Sequence, residues 1–323
     1  MNWPFVLETR LKKVVKRTLG IFFGLVIGLL LAEGMIRIYY HNQESKKNLD
    51  HLKRDQWRDL SHALPKPPDT LRIAFFGDSV TYGQGVSFQD TFAQQTGEII
   101  RRKIQQPKIE ILNFGIPAYN VLDNLKNLKT HVLKYNPDIV IYGYCINDFN
   151  NPWAESALIF KLKQEIKRYR FFGFLEPYSK LAYFLDWAMY QLFSDAKKFH
   201  HEWMSDTLNP NKNPIYREME QGLSEIIEIL SPKNGLVLIL PIFNDKNEDR
   251  LSYYIKARKL VVTRCESLHV AYLDVFPKMK FKPPFRWWVS IDDHHPNKEG
   301  HALIAKLVAE KLLADDVLAK YIK

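Results

Sequence analysis

An α/β fold built on a parallel sheet is predicted by three observations on this 323-residue sequence. Five short apolar runs (71–76, 108–114, 137–144, 235–241 and 270–276) alternate with stretches of helical periodicity. Strand, helix and strand at these spacings argue for right-handed crossovers and therefore parallel strands. Three chemically distinctive positions, Ser79, Gly115 and Asn147, each fall just past the carboxyl end of one of the first three runs, along one edge of the sheet. A separate apolar stretch near the N-terminus places a membrane-type helix ahead of the fold.

Each element has its own signal. Residues 1–17 are basic, with Arg10, Lys12, Lys13, Lys16 and Arg17 close together. Residues 18–40 follow as a transmembrane anchor, apolar from Leu19 to Ala32 and continuing through Glu33 and Arg37 to the interfacial Tyr39 and Tyr40. A cleaved signal peptide is the rival, with Ala32–Gly34 as its cleavage site. The tighter basic cluster precedes the apolar run, which puts the N-terminus in the cytoplasm and the folded domain outside it, on the periplasmic side if the cell is bacterial. Residues 41–70 are polar, end in Pro65-Lys-Pro-Pro68, and read as a juxtamembrane linker. The globular domain then covers 71–318. Helical spacing is found at 89–105, 120–135, 216–230, 248–268 and 297–318.

The alternation breaks at 149–215, a helical insertion rich in aromatic residues with basic residues interleaved, as in Lys161–Arg170. Its aromatics either pack it onto the main domain or make it a lid that shapes the site and touches the membrane surface.

The chemistry concentrates in two places. Gly77-Asp78-Ser79 ends the first strand, and Gly83 and Gly85 leave the following backbone free to turn. A serine there is placed as a nucleophile would be; the plain alternative is that Asp78 and Ser79 form a turn that closes the strand. Far downstream, Asp292-Asp293-His294-His295-Pro296 sets acids beside imidazoles just before a helix. Serine needs a histidine to take its proton, and that histidine needs a carboxylate to fix its tautomer. A capped polar loop is the plain alternative. A metal site is disfavoured, because no second ligand cluster of suitable spacing accompanies it.

Together these pieces resemble the SGNH (GDSL-type) hydrolase superfamily from about Leu71 onward. Gly77-Asp78-Ser79 with Thr81 and Gly83 resembles the nucleophile block, Asn113-Phe114-Gly115 the second, Asn147-Asp148 the third, and Asp292-x-x-His295-Pro296 the last. One departure is Cys145, where the third block usually has glycine. The resemblance implies a three-layer α/β/α sandwich with a five-stranded, flavodoxin-like parallel sheet. It also implies a triad of Ser79, His295 and Asp292, with His294 and Asp293 as the rival assignments. The oxyanion donors would be the Ser79 and Gly115 amides and the Asn147 side chain.

The activity implied is ester hydrolysis on acyl or acetyl esters, of small molecules or of cell-envelope carbohydrate. Transfer of the acyl group to a polysaccharide hydroxyl is the alternative, and a catalytically idle, membrane-tethered glycan-binding module is an alternative of another class. Trp287 and Trp288 either line the substrate site or anchor the histidine loop. No cofactor motif appears. The formal charge of +10 comes with no nucleic-acid-binding motif, so it points to a basic surface or an anionic partner such as phospholipid. Cys145 and Cys265 are expected to be free thiols.

Overall fold

The computed structural model describes residues 3–46, 57–58, 62–104, 108–149, 152–240, 248–279, 286–289, 293–314 and 318. The chain divides into two compact units, one of residues 1–45 with 161–197 and one of residues 46–160 with 198–323.

The larger unit carries the sheet. Strands β1 (Leu71–Gly77), β2 (Ile109–Gly115), β3 (Ile139–Cys145), β4 (Leu236–Leu240) and β5 (Ala271–Asp274) are all parallel and stand in the order β2-β1-β3-β4-β5. This is the flavodoxin-like order, in which the chain switches direction across the sheet between β1 and β3. The helices, numbered along the whole chain, are α1 (Trp3–Lys46), α2 (Ser79–Tyr82), α3 (Phe92–Ile104), α4 (Val121–Thr130), α5 (Pro152–Arg168), α6 (Lys180–Phe193), α7 (Ala196–Thr207), α8 (Tyr216–Leu230), α9 (Glu248–Ser267), α10 (Phe276–Met279) and α11 (Lys298–Ala314).

Period-two alternation on β1 separates the two cores. Ile73 and Phe75 face a layer containing Phe92 and Ile100 of α3 with Ile304 and Val308 of α11. Ala74 and Phe76 face the opposite layer, with Val121 and Leu128 of α4, Leu223 and Ile227 of α8 and Val261 of α9. The central strands are buried on both faces and mostly apolar, as in a three-layer α/β/α sandwich, with Arg72, Glu110 and Asn113 as polar exceptions. The expected strands and helices are all found, with ends shifted by a few residues. The 120–135 stretch is α4, opened by a capping box between Asn120 and Asp123, and then a separate 3₁₀ turn, Val132–Tyr135.

The segment ahead of β1 departs from the linker reading. Trp57 packs edge-on against Phe114, and Arg58 donates to the carbonyls of Gly83 (2.7 Å) and Val86 (2.6 Å), just past α2. The fully buried Arg72 gathers the Ala63 carbonyl (2.6 Å), the Tyr135 carbonyl (2.7 Å) and the Glu110 carboxylate (2.5 Å). The described residues from Trp57 to Thr70 are therefore partly fastened to the domain. An unpartnered guanidinium at such a position would be costly, and its fixed fork suits several carbonyls at once.

One packing feature sets the position of α2. Gly77 is in register with Gly115 on β2 and with Gly143 on β3. A Cβ on Gly115 would lie 2.3 Å from the Tyr82 amide nitrogen, and one on Gly143 would lie 2.1 Å from Thr81 Oγ1. Side chains at these strand ends would lift α2 off the sheet. Gly115→Ala is therefore expected to lose about 1–3 kcal/mol by overpacking, with activity falling as α2 shifts. At about 2–4 °C per kcal/mol for a domain of this size, thermal unfolding of the purified chain will read it. Gly222→Ala on α8, whose added Cβ meets the flexible side-chain ends of Leu122, Val121 and Leu125 at 3.0, 3.3 and 3.8 Å, is the tolerated control.

Candidate active site

Ser79 stands at the first position of α2, directly after β1, with 8% of its surface exposed. Asp78 caps this helix, its carboxylate accepting from the Val80 N–H at 2.9 Å. The helix closes on Gly83, whose left-handed backbone (φ 82°) suits a residue without a Cβ. Ser79 Oγ lies 2.9 Å from His295 Nε2, across 216 residues of chain.

The loop that carries His295 is held at several points. Val289 N–H donates to the His295 carbonyl (2.9 Å), and Asn297 N–H donates to the Trp287 carbonyl (2.7 Å). The Asn297 side chain donates to the carbonyls of Arg286 and Trp288 and accepts from Gly300 N–H, which caps α11. Trp287 is 4% exposed in the core and donates its ring N–H to the Met279 carbonyl. It anchors the loop, which removes it from the substrate-lining reading. Trp288 is half-buried, with its ring 4.1 Å from that of His294. His294 thus rests against tryptophan, and His295 is the imidazole that meets the serine.

The described carboxylate nearest the imidazole is Asp293, the rival assignment. His295 Nδ1 lies 2.7 Å from Asp293 Oδ1, and the same oxygen accepts from the His295 backbone N–H at 3.2 Å. Asp292, expected in this role, lies outside the described residues. With Nδ1–H donating to Asp293, the other ring nitrogen is left as the acceptor for the Ser79 hydroxyl.

The expected oxyanion donors are also distinguished. The Gly115 N–H, expected to face the oxyanion, donates instead to Asn113 Oδ1 at 2.9 Å, while Asn113 Nδ2 donates to the Thr81 carbonyl at 2.9 Å. Asn113 thereby ties the end of β2 to the nucleophile turn. The Ser79 amide opens α2, among the N–H groups that a helix leaves without an intrahelical acceptor. Asn147, in a 3₁₀ turn after β3, donates Nδ2–H to Asp78 Oδ2 at 3.2 Å, and the second hydrogen of that amide remains for another acceptor.

Behind these donors sits a buried acid pair that sequence reasoning did not single out. Burial pushes the carboxyls of both Asp78 and Asp148 up, that of Asp148 well above the usual range, and the Asp78 charge adds to the rise at Asp148. Asp78 is held back by the Val80 N–H, by His295 and by the Asn147 amide. Asp148 accepts the Tyr142 hydroxyl at 2.5 Å. Burial thus disfavours charge on both carboxyls, and more strongly on Asp148, which has fewer groups to offset it. A further imidazole, His301 of α11, accepts the Phe92 N–H at Nδ1 (3.1 Å). Its pKa is lowered to about 3, by burial first and then by His295 and Arg58, so it stays neutral beside the working site.

A family model and several solved structures match this chain. The GDSL-like Lipase/Acylhydrolase family matches residues 75–303. Similar solved structures include a lipase/acylhydrolase from Enterococcus faecalis (14% identity, covering 75% of this chain and 95% of that one, TM-score 0.45). An acetylxylan esterase variant from Geobacillus stearothermophilus (13% identity, 78% and 96%, TM-score 0.46) and a lipase from a goat rumen metagenome (14%, 75% and 97%, TM-score 0.49) are similar to comparable extents. No curated protein matches the chain. With a serine on the strand-end turn, a histidine from the far loop and a family match spanning most of the sheet domain, this chain belongs to the GDSL-like lipase/acylhydrolase family.

Proposed function

We propose that this chain is a serine-dependent ester hydrolase in which Ser79, His295 and Asp293 form the triad. The observation that carries this is the continuous contact from Ser79 Oγ to His295 Nε2 (2.9 Å) and from His295 Nδ1 to Asp293 Oδ1 (2.7 Å). In this reading Ser79 Oγ attacks the ester carbonyl while its proton passes to His295 Nε2. Asp293 holds the tautomer and steadies the imidazolium. The carbonyl oxygen gathers negative charge as the bond forms, and the Ser79 N–H and the free hydrogen of Asn147 Nδ2 receive it. His295 then protonates the departing alcohol, and water repeats the sequence on the acyl-enzyme. Asp78 keeps Asn147 turned toward the serine and interacts with the His295 imidazole.

The N-terminal helix α1 contains a 23-residue stretch, Arg17–Tyr39, apolar enough to cross a membrane, and a signal sequence passes the same test. We read it as a retained anchor, with the hydrolase domain outside the cytoplasm, acting on acyl or acetyl esters of cell-envelope carbohydrate. The exposed leucine, isoleucine and phenylalanine side chains along it support an apolar surrounding.

Three sets of substitutions test the site. Asn147→Ala is expected to lower kcat by about 10²–10³ on a chromogenic acetyl ester, with KM little changed, as for loss of one oxyanion donor. An unchanged kcat would exclude that role. Asp293→Asn is expected to lower kcat by about 10⁴, as when the orienting acid of a triad loses its charge, and Asp292→Asn is expected to leave most activity in place. The reverse result would return the acid to Asp292. Asp148→Asn keeps an acceptor for the Tyr142 hydroxyl and is expected to unfold close to the parent temperature. Asp148→Ala strands that hydroxyl and is expected to lose about 1–3 kcal/mol. Equal large losses in thermal unfolding would show that Asp148 works as a charged group.

A further inference from the structure

The smaller unit joins α1 to residues 161–197, and part of the tie is polar. The Glu33 carboxylate accepts from the Ser179 hydroxyl (2.8 Å) and from the backbone N–H groups of Lys180 (3.0 Å) and Leu181 (2.7 Å), which caps the start of α6. Arg37, one turn further along α1, donates to Glu33 (2.5 Å) and to the Tyr178 carbonyl (2.6 Å). Both charged groups lie inside the apolar stretch Arg17–Tyr39. Charges within a membrane span are expensive unless they are partnered, and residues 178–181 supply partners to both. Glu33 is six residues short of Tyr39, roughly 9 Å along the helix axis. Residues 178–181 are thereby held near the carboxyl-terminal end of the apolar stretch, where hydrocarbon gives way to headgroups.

The loop that leads into this clasp is folded on itself. Leu175 N–H donates to the Phe172 carbonyl (2.8 Å), Tyr178 N–H to the Leu175 carbonyl (2.9 Å), and Phe172 N–H to both oxygens of Asp186 (2.9 Å). Despite that order, Phe171, Phe174 and Tyr178 are 58%, 74% and 78% exposed. Leaving a large apolar side chain in water forgoes about 1.5–3 kcal/mol of burial. Between Lys161 and Lys180 there are six basic and two acidic residues, and Lys163, Lys167 and Arg168 are exposed.

We propose that residues 171–178 are a second membrane contact, lying in the interface of the leaflet where α1 ends. Phe171, Phe174 and Tyr178 enter the headgroup–acyl boundary, and the neighbouring basic side chains face anionic headgroups. The proposal rests on reading α1 as a membrane span, and it makes the Glu33–α6 cap the joint that holds the loop at that depth.

The test uses the full chain in vesicles of phosphatidylethanolamine and phosphatidylglycerol, with one nitroxide label on Phe174→Cys or on Lys126→Cys, an exposed control position on α4. Cys145 and Cys265 are both buried. Power saturation is expected to show collisions with oxygen exceeding those with a water-soluble nickel complex at 174, and the reverse at 126. Adding Glu33→Ala is expected to turn the 174 label toward the aqueous pattern. An aqueous pattern at 174 in a chain that resists carbonate extraction would overturn the interfacial contact while leaving α1 as an anchor. Release by carbonate would overturn the anchor reading, and the proposal with it. Spin–spin broadening at 174 that disappears on dilution with unlabelled chain would show that a second copy, and not lipid, covers the face.

Discussion

The site depends on how closely a four-residue helix can approach the ends of three strands. β1, β2 and β3 present glycine at one level of the register, and Thr81 and the Tyr82 amide occupy the space that side chains would fill. Close approach carries Ser79 to the position where a loop from more than two hundred residues away can bring His295 to hydrogen-bond distance. The same approach lets Asn113 span from β2 to the Thr81 carbonyl, and lets Asn147 beyond β3 reach Asp78. Dense packing makes this arrangement stiff, since small volume changes at a close-packed junction have few ways to relax. The site is in this sense a property of the sheet edge, and the individual side chains inherit their positions from it. The third strand also shows how a family departure is absorbed. Cys145 stands buried at the end of β3, and the glycine that accommodates Thr81 is Gly143, two residues earlier.

Most of the fold was legible because it rests on periodic patterns. Five apolar runs and five helical stretches predicted the parallel sheet, and α8 matches its expected bounds, 216–230. Ser79 and Asn147 were legible because a strand end is a local feature. The structure's departures from the reading are non-local or lie between adjacent residues. Asp292 and Asp293 are equally good carboxylates in sequence; Asp293 meets Nδ1, while Asp292 lies outside the described residues. The Gly115 amide is taken by Asn113, two residues away, where the sequence offered two good groups and no way to see that one binds the other. Trp57 and Arg58 sit in a polar stretch with no periodicity, so nothing marked them as partners of Phe114 and of the Gly83 and Val86 carbonyls. The exposed aromatics of the insertion were expected to pack inward as the plainer alternative, because hydrophobicity says that a side chain avoids water without saying what else it meets.

Electrostatics behind the serine follow from burial more than from any single ion pair. Two fully buried carboxyls within mutual influence cannot both ionise cheaply, and the environment separates them. Asp78 has a backbone N–H, an amide and an imidazole around it, whereas Asp148 has the Tyr142 hydroxyl. Asp78 caps the serine helix and interacts with the His295 imidazole, so the two halves of the proposed site are coupled through one carboxyl group. Burial beside these acids also pushes the Cys145 thiol well above its usual range, which keeps a nucleophile-like side chain close to the site unreactive.

Helix N-termini recur as the points where distant parts of the chain are joined, and comparing them explains which joints could be read in advance. Asp78 caps α2, Asn120 caps α4 and Asn297 caps α11, each from the residue immediately before or within its own turn, so each is a sequence-local signal. α6 has a local cap too, Ser179 accepting from the Ala182 N–H, and Glu33 adds a second from 146 residues away. Local caps fix where a helix begins, whereas a remote cap fixes where a helix sits in the molecule, because it ties the new helix to an element already placed. For α6 that element is an apolar helix carrying one acid and one base in its last turns. A carboxylate there is badly placed for a bare span and well placed for a joint, since a weakly polar surrounding strengthens each hydrogen bond it makes to the helix end. If α1 spans a membrane as proposed, the position of Glu33 follows from one requirement: a polar tie made where water is scarce holds more firmly than the same tie made in water.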